Sequence, residues 1–257
     1  MAQRNEAALD LDAGPVAGRA SKRGLVSARE RTLFAGTVLL LVLALWSIPL
    51  LSFPDGAVHV AMAHLLTVLG NGTADPILQR YFELNIQTEP NWFIYPILAG
   101  LLQIFEPHSA EKVLLTGFIV AFPYSVRYAV TAARPENAPL AWFALPFVYA
   151  WPLNLGLYNF IWSLPWLFVT LGYALRRWTD MTPGRTLVVA LLALVTYFSH
   201  ITSAIVLMLT VGALGAWILW CEWRVPGSSG LRREGGAAAG CGRPCWPSRW
   251  PCCRSPC

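Results

Sequence analysis

The feature that most constrains the fold of this chain is an uninterrupted apolar run, residues 33–53, that contains no charged side chain. The hydrocarbon core of a bilayer is about 30 Å thick and requires about 20 mostly apolar residues per helix. A cleaved signal peptide is the alternative, but its apolar part is usually about 7–15 residues long. The nearest A-x-A triplet, residues 61–63, also lies beyond the run. We therefore predict an uncleaved transmembrane helix here.

Basic residues precede this run and set its predicted orientation: Arg19, Lys22, Arg23, Arg29 and Arg31. Cytoplasmic flanks of membrane helices carry an excess of Lys and Arg. The order of basic and apolar residues therefore predicts a cytoplasmic N-terminus. It also predicts the lipid bilayer as a partner of the chain.

The composition supports a membrane protein. Hydrophobic residues make up 56% of the chain and charged residues 13%, whereas about 25% of the residues in soluble domains are charged. The net charge of +5 comes with too few Lys and Arg side chains for a surface that follows nucleic acid phosphates. These proportions argue against a water-soluble enzyme and against a nucleic-acid partner.

Composition also divides the chain into three zones. Residues 1–30 form a polar head, which we expect to be disordered and cytoplasmic, and residues 31–223 form an apolar transmembrane domain. Residues 224–257 form a Gly/Pro/Cys-rich tail of low complexity, which is either disordered or read out of frame. The second alternative would make the chain a truncated piece of a longer protein.

Further apolar runs follow the first one, at residues 92–105, 113–126, 140–151, 160–175, 186–197 and 201–220. Several contain a proline, which membrane helices tolerate when neighbours satisfy the freed carbonyls. The runs are apolar on both faces and lack the alternation of barrel strands. The sequence thus predicts an all-α, multi-pass transmembrane helix bundle of about six to seven spans, with a long outer loop after the first span.

The orientation of the middle of the chain is ambiguous. Counting back from the basic cluster at residues 176–185 places Arg127 inside, whereas counting forward from the first span places it outside. Either one run within residues 92–126 is interfacial or re-entrant, or residues 57–69 cross the membrane and move the following loop inside. We favour the first alternative, because residues 57–69 are few and include two histidines.

Polar side chains beside apolar spans are costly unless they line a cavity or a water-facing site, and one such place is the PDGAVH segment after the first span. In a helix that starts at Gly56, Asp55 and His59 lie one turn apart on the same side. The carboxylate could take a proton from a hydroxyl or hold a cation, while His59 adjusts its pKa or contacts phosphate. Alternatively, Asp55 only caps the helix.

A second polar group lies in the predicted outer loop at residues 81–92, where Glu83, Asn85 and Glu89 are interleaved with aromatic residues. Sugars present hydroxyl edges and an apolar C–H face, so this mixture suits sugar recognition. The aromatic belt of a membrane interface produces the same pattern.

The corner at residues 151–160 and the histidine at position 200 complete the set. The corner contains Asn154, Tyr158 and Asn159, and its asparagines either face the same cavity as Asp55 or form hydrogen bonds between helices. His200 stands between two apolar runs on the predicted outer side. A histidine in such a position is either structural or part of the same site.

This arrangement resembles the GT-C superfamily of membrane glycosyltransferases. Asp55, in PDGAVH, matches the acidic residue that the family carries in its first outer loop, although no second acidic residue stands next to it. The segments GLYNFIWSLPW and YFSHITSAIVLML are also similar to stretches of bacterial multi-span proteins allied to that superfamily. The resemblance covers residues 33–220.

The resemblance implies a transferase of the bacterial inner membrane that takes a sugar from a polyprenyl-phosphate carrier at the outer face. Asp55 would be the general base or would bind a divalent cation, and Glu83, Asn85 and Glu89 would contact sugar or acceptor. His59 or His200 would offset the charge of the carrier phosphate. Substrate contacts would also come from the corner, through Asn154, Tyr158 and Asn159.

Two other functions fit the same polar groups. A transporter or flippase component would use them to line a passage and would show broken helices and repeated halves, and no internal repeat is visible. A non-catalytic membrane scaffold would leave Asp55, the 81–92 loop, Asn154 and His200 far apart. Proximity of these groups would favour the enzyme.

Overall fold

The computed structural model describes residues 14–85 and 87–224, and the side chains of residues 28–85, 87–178, 180–217 and 220. The first helix begins at Gly14, inside the head for which composition predicts disorder. Ala, Arg and Leu are good helix formers, and they recur up to the apolar run. The predicted tail at residues 225–257 lies outside the described residues.

The described chain is all-helical, as the sequence predicts, and contains no strand. Its α-helices are α1 (Gly14–Ser47), α2 (Gly56–Gly70), α3 (Pro76–Tyr81), α4 (Ile94–Leu101), α5 (Pro107–Ala133), α6 (Trp151–Leu155), α7 (Tyr158–Arg177), α8 (Pro183–Ser199) and α9 (Ile201–Arg224). A 3₁₀ helix at Pro135–Phe147, called the 3₁₀ segment below, connects α5 to α6. A single 3₁₀ turn, Trp178–Asp180, follows α7.

Helices α1 and α5 pack antiparallel. Near the end of α1, Trp46 Nε1 donates to Thr116 Oγ1 over 3.0 Å, and Lys112 Nζ donates to the Ile48 carbonyl over 2.5 Å. Further from that end of α1, Glu30 accepts two hydrogen bonds from the Arg127 guanidinium, over 2.7 and 2.6 Å. Helix α5 therefore begins at the end of the bundle where α1 stops.

The segment between these two helices stays at one end of the bundle. Helix α4 has 8 residues, about 12 Å at 1.5 Å per residue, and cannot cross a bilayer. Because α5 starts where α1 ends, residues 48–106 begin and finish at the same end of the bundle. The apolar run at residues 92–105, predicted as a separate run, forms only the short helix α4 and the turns beside it.

The remaining helices run back and forth along the bundle. The 3₁₀ segment runs back along the bundle. Near its start Asn137 donates to the Val130 carbonyl, and just after its end Tyr149 donates to the Leu41 carbonyl. Helix α7 then runs parallel to α5: Gly117 of α5 faces Trp162, and Tyr128 faces Gly172 further along both helices. Helices α8 and α9 form an antiparallel pair beside α7.

Charged residues from Arg29 to Arg185 lie at the two ends of this bundle. The arginine end holds Arg29, Glu30, Arg31, Arg127, Arg134, Glu136, Arg176, Arg177, Asp180 and Arg185. The aspartate end holds Asp55, Glu106, Glu111 and Lys112, and the segment of residues 48–106, which begins and finishes there, also carries Asp75, Arg80, Glu83 and Glu89. The stretches between the two ends carry no charge, which is what a bilayer core requires.

Two helical stretches, Ala28–Ser47 and Pro107–Ala133, are long and apolar enough to cross a membrane. Large apolar side chains also stay exposed along the middle of the bundle, such as Leu40 at 65%, Phe143 at 72% and Leu209 at 68%. Water would penalise such surface, whereas lipid chains would cover it. Both observations support a membrane location.

Candidate functional site

Asp55 immediately precedes α2, but its carboxylate does not cap the helix. Its backbone N–H donates to the Leu155 carbonyl and its own carbonyl accepts from His59 N, each over 3.1 Å. Its side chain makes no capping hydrogen bond, whereas Asp75 caps α3 by accepting from Ile77 N over 2.8 Å. The helix therefore does not use the Asp55 carboxylate, which is exposed at the aspartate end.

Glu111 and Tyr158 form a buried hydrogen-bonded pair next to Asp55. The Tyr158 hydroxyl donates to Glu111 Oε1, and the exposed fractions of the two residues are 0% and 7%. Burial of a carboxylate is costly unless it gains partners. The sequence predicts Tyr158 as a site residue, whereas Glu111 was missed, although an ionisable residue beside an apolar run is itself a signal of function.

Two glycines bring the start of α2 close to this pair and to the corner before α7. A Cβ atom on Gly56 would lie 2.5 Å from Glu111 Oε1 and 2.7 Å from the Tyr158 hydroxyl. Gly156 has a φ of +83°, and a Cβ there would lie 2.7 Å from the Gly56 nitrogen. Only glycine fits both the close approach and the left-handed backbone. The two segments therefore meet backbone to backbone at Asp55.

His59 packs between Tyr158 and Tyr95. Its ring stacks on Tyr158 with centroids 5.2 Å apart, and its Nδ1 lies 3.1 Å from the Tyr95 hydroxyl. Burial lowers the pKa of His59, while the charge of Asp55 and a hydrogen bond to the Gly156 backbone oppose this shift. Burial also raises the pKa of Tyr95. Since burial keeps the pKa of His59 below its ordinary value, the imidazole is neutral at neutral pH, and its polar partners are the Tyr95 hydroxyl and the Gly156 backbone.

Asn159 lies beside Tyr158 but has a clear structural partner. Its Oδ1 accepts from Ile94 N over 3.2 Å, and its Nδ2 donates to the Asn91 carbonyl over 2.9 Å. The side chain, 5% exposed, therefore fixes the end of the 81–92 loop to α7. The sequence offered hydrogen bonds between helices as the alternative to ligand contact, and Asn159 bonds to the first residue of α4 and to the loop before it.

His200 packs against Phe160, away from the Asp55 group. The two rings are 5.1 Å apart in an edge-to-face arrangement, and His200 Nδ1 accepts from Thr202 N over 3.3 Å. Burial lowers the pKa of His200. The neighbouring Phe198 carbonyl accepts from Trp92 N over 2.8 Å, so this corner supports the same loop as Asn159.

The other predicted site residues are exposed. Asn154 Nδ2 donates to the Tyr149 carbonyl over 3.1 Å. Within the described contacts, Glu83, Asn85 and Glu89 make no side-chain hydrogen bond, although Tyr197 anchors their loop by donating to the Thr88 carbonyl over 3.0 Å. The structure thus brings together Asp55, His59 and Tyr158 and adds Glu111 and Tyr95 to them. Asn154, Glu83, Asn85 and Glu89 stay at the surface.

The described residues do not supply the ligands of a resident divalent cation. Metal sites combine several carboxylate, imidazole or thiolate groups, and the described part of the chain contains no cluster of three such residues. Glu111 is engaged with Tyr158, and His59 with Tyr95.

Comparisons with family models, with curated proteins and with solved structures give no match to this chain. The residues of the site are therefore the basis for a functional proposal.

An apolar groove extends from the bilayer side towards this site. It measures about 490 Å³ and lies between α5, the 3₁₀ segment and α7. We call it the aromatic groove after its main lining residues, Phe118, Phe122, Phe143, Phe147, Leu164 and Phe168. Ala150 and Pro152 line it at the corner that leads to Gly156, which contacts Gly56. An apolar chain in the groove would therefore have its head near the aspartate end.

Proposed function

We propose that the chain is an integral membrane glycosyltransferase of the GT-C type, or a piece of one, which uses a polyprenyl-phosphate-linked sugar. The observation that carries this proposal is the Asp55 carboxylate, which is exposed and does not cap α2. It lies beside the buried Glu111–Tyr158 pair, on which His59 stacks. A carboxylate held next to a rigid polar cluster at a water-facing end suits a general base.

The proposed membrane placement follows from the charges. The six segments that run the length of the bundle, namely α1, the 3₁₀ segment, α5, α7, α8 and α9, cross the bilayer. The arginine end then faces the cytoplasm together with the N-terminus, by the positive-inside rule. The aspartate end faces outward from a bacterial inner membrane.

The proposed reaction transfers the sugar to an acceptor hydroxyl. Asp55 accepts the hydroxyl proton while the acceptor oxygen bonds to the anomeric carbon. The bond from that carbon to the carrier phosphate oxygen breaks, and its electron pair stays on the phosphate. The products are the glycosylated acceptor and polyprenyl phosphate, whose chain occupies the aromatic groove.

His59 then has a positioning role. The ring of His59 is half-buried between Tyr95 and Tyr158, so we assign to it the support of the Gly156 backbone, which lies against Asp55, rather than contact with the carrier phosphate. Glu83, Asn85 and Glu89 retain their proposed contacts with sugar or acceptor, because their exposed loop is anchored through Thr88 and Asn91. Asn159 and the Phe198 carbonyl, two residues before His200, hold that loop.

Transport is the weaker alternative. A passage for a polar solute requires polar or charged groups through the middle of the membrane. Charged residues between Arg29 and Arg185 instead lie at the two ends, and the large groove at bilayer depth has an apolar lining. These observations favour a one-sided site.

The test compares two aspartates at the same end. The purified chain in proteoliposomes receives undecaprenyl phosphate-[¹⁴C]hexose, and release of undecaprenyl phosphate is measured. We expect Asp55→Asn to slow release by about 10²-fold or more, the usual contribution of a general base. Asp75→Asn preserves the cap of α3, because Asn is also a good N-cap, and should leave the rate unchanged. Equal rates for both variants would rule out the proposed role of Asp55.

A further inference from the structure

Glu111 is a buried carboxylate to which the proposed reaction assigns no step. It lies in the second turn of α5, and its Oε1 accepts from the Tyr158 hydroxyl. The ion pairs of the described residues do not include it, and the amine of the neighbouring Lys112 donates to the Ile48 carbonyl over 2.5 Å. A buried carboxylate is costly unless its oxygens gain donors. One hydroxyl satisfies only part of that need.

The second carboxylate oxygen of Glu111, Oε2, is open to a ligand. Among the contacts of the described residues, the Glu111 carboxylate accepts a hydrogen bond only at Oε1. The polar side-chain atoms of the described residues that are fully buried without a partner are the indole nitrogens of Trp162 and Trp166. Oε2 is not one of them and therefore keeps contact with solvent. An ionised carboxylate can accept about four hydrogen bonds, so a hydroxyl of a ligand can bind at Oε2.

Glu111 also lies on the helix face that lines the aromatic groove, nearer to the aspartate end. Phe118 lines the groove and follows Glu111 by seven residues, which places it on the same face of α5 and about 10 Å deeper. On α7, Tyr158 precedes the lining residue Ile161 by about one turn. The Glu111–Tyr158 pair therefore lies at the aspartate end of the two helices that form the groove.

We propose that Glu111 is a substrate-binding residue whose Oε2 accepts a hydrogen bond from a hydroxyl group of the carrier-linked sugar. The proposal rests on the proposed function, because it requires the polyprenyl chain to occupy the aromatic groove. That chain ends below Glu111, and the sugar lies one phosphate further out. A Cβ on Gly56, the residue after Asp55, would lie 2.5 Å from Glu111 Oε1. Glu111 thus holds the donor sugar beside the carboxylate that takes the proton of the acceptor.

The experiment measures KM and kcat for release of undecaprenyl phosphate from undecaprenyl phosphate-[¹⁴C]hexose by the full chain in proteoliposomes. Glu111→Gln has the same shape and keeps an oxygen for the Tyr158 hydroxyl, but it places an amide nitrogen at Oε2. We expect KM to rise about tenfold or more, the effect of losing one hydrogen bond to a charged group, with kcat unchanged. Glu106→Gln is the matched control, because Glu106 is exposed just before the same helix and makes no capping hydrogen bond.

A second measurement separates this proposal from the role of Asp55. Equilibrium binding of the same labelled donor is compared between Asp55→Asn and the double variant Asp55→Asn/Glu111→Gln. We expect the double variant to bind about tenfold more weakly. Equal binding by the two would overturn the contact with Glu111 and leave the transferase intact, as would a lower kcat at unchanged KM in Glu111→Gln, which indicates support of Asp55 instead. A parent chain that neither binds the donor nor releases undecaprenyl phosphate would overturn the proposed function and this proposal together.

Discussion

Gly56 has the most restricted surroundings of the residues at the candidate site. The place that a Cβ would occupy is filled by the Glu111 carboxylate and the Tyr158 hydroxyl. The same residue begins α2 and follows Asp55. Its size therefore determines how close Asp55 comes to the buried pair, and any larger residue must push the two apart.

Replacing Gly56 by alanine should destabilise the bundle. The added methyl group overpacks a site without free space, at a cost of about 1–3 kcal/mol. Gly100→Ala is the matched control, because a Cβ on Gly100 of α4 meets nothing within 4 Å, and it should stabilise the helix by about 0.5–1 kcal/mol. Unfolding of both variants in one detergent measures the difference. A Gly56→Ala variant as stable as the parent would contradict the close packing.

His59 should make stability depend on pH. An unfolded histidine has a pKa of about 6.5, and burial lowers the pKa of His59 in the fold. Below about pH 6.5 the unfolded chain binds a proton that the folded chain does not, so stability falls as pH falls. Above that value the contribution is constant. The melting temperature should therefore drop between about pH 7.5 and about pH 5.5.

His59→Gln should reduce this drop. The groups that face His59 are Asp55, Tyr95 and Tyr158, and they are retained in the variant. His64, exposed on the same helix, provides the control through His64→Gln. His200 contributes in the same direction and is present in all three proteins. If the melting temperatures of the parent, His59→Gln and His64→Gln fall by the same amount over this pH range, the burial of His59 does not control the pH dependence.

Sequence patterns predicted Asp55, His59 and Tyr158, each of which stands in a local polar segment, but missed two partners that reach the site only in space. Asp55 and His59 were predicted because helical spacing alone brings them together. Glu111 and Tyr95 join the site through contacts across 47 and 36 positions, which no local pattern contains. The asparagine at position 159 was ambiguous for the same reason, since its partners lie in a distant loop.

At the scale of elements, the ion pair at the arginine end joins three segments. Glu30 of α1 accepts from Arg127 of α5, and its Oε1 also accepts from Trp142 Nε1 of the 3₁₀ segment over 3.0 Å. The side chains of Arg127 and Glu30 are 16% and 19% exposed. This pair therefore has more energetic weight than an ordinary surface pair.

Glu30→Gln should destabilise the bundle by about 1–2 kcal/mol. The estimate reduces the usual value for hydrogen bonds to charged groups, because both side chains keep some contact with solvent. Asp180→Asn is the control: its carboxylate pairs with Arg177 over 3.8 Å and also with Arg185, but it is 51% exposed, so the loss of these surface pairs should cost about 1 kcal/mol or less. Chemical unfolding measures both. Similar losses in the two variants would mean that the three-segment contact contributes no extra stability.

Helix type and helix position were not equally predictable. The hydropathy of residues 33–53 and 113–126 predicts two of the long helices, which the structure has as α1 and α5. The run at residues 140–151 forms the end of the 3₁₀ segment and the start of α6. Prolines 135, 139 and 146 lie within that 3₁₀ segment, and each removes a backbone donor that an α-helix needs. Hydropathy does not register this loss.

At the scale of the whole molecule, charged side chains gather at the two ends of the bundle. Arg127 lies at the same end as Glu30, with which it pairs, so residues 48–106 start and finish at the other end. The sequence left the orientation of the middle of the chain ambiguous, because contacts between distant helices such as α1 and α5 have no local pattern.

Labelling of single cysteines tests this topology. In a variant whose 6 native cysteines are replaced by serine, Asn71→Cys, Gln87→Cys and Glu136→Cys receive an impermeant maleimide in sealed, oriented vesicles. We expect Asn71→Cys and Gln87→Cys to react from one side and Glu136→Cys only from the other. All three positions are exposed. Labelling of Asn71→Cys and Gln87→Cys from opposite sides would instead indicate a crossing between α2 and the loop.

The 3₁₀ segment has a consequence for how such a bundle is made. At about 2.0 Å per residue, its 13 residues reach about 26 Å, nearly the thickness of a bilayer core. Independent recognition by the insertion machinery requires about 17–25 residues, so the segment is too short to be inserted alone. In the proposed membrane placement it enters the bilayer together with α5 as one hairpin, which Asn137 of the segment fastens by donating to the Val130 carbonyl near the end of α5.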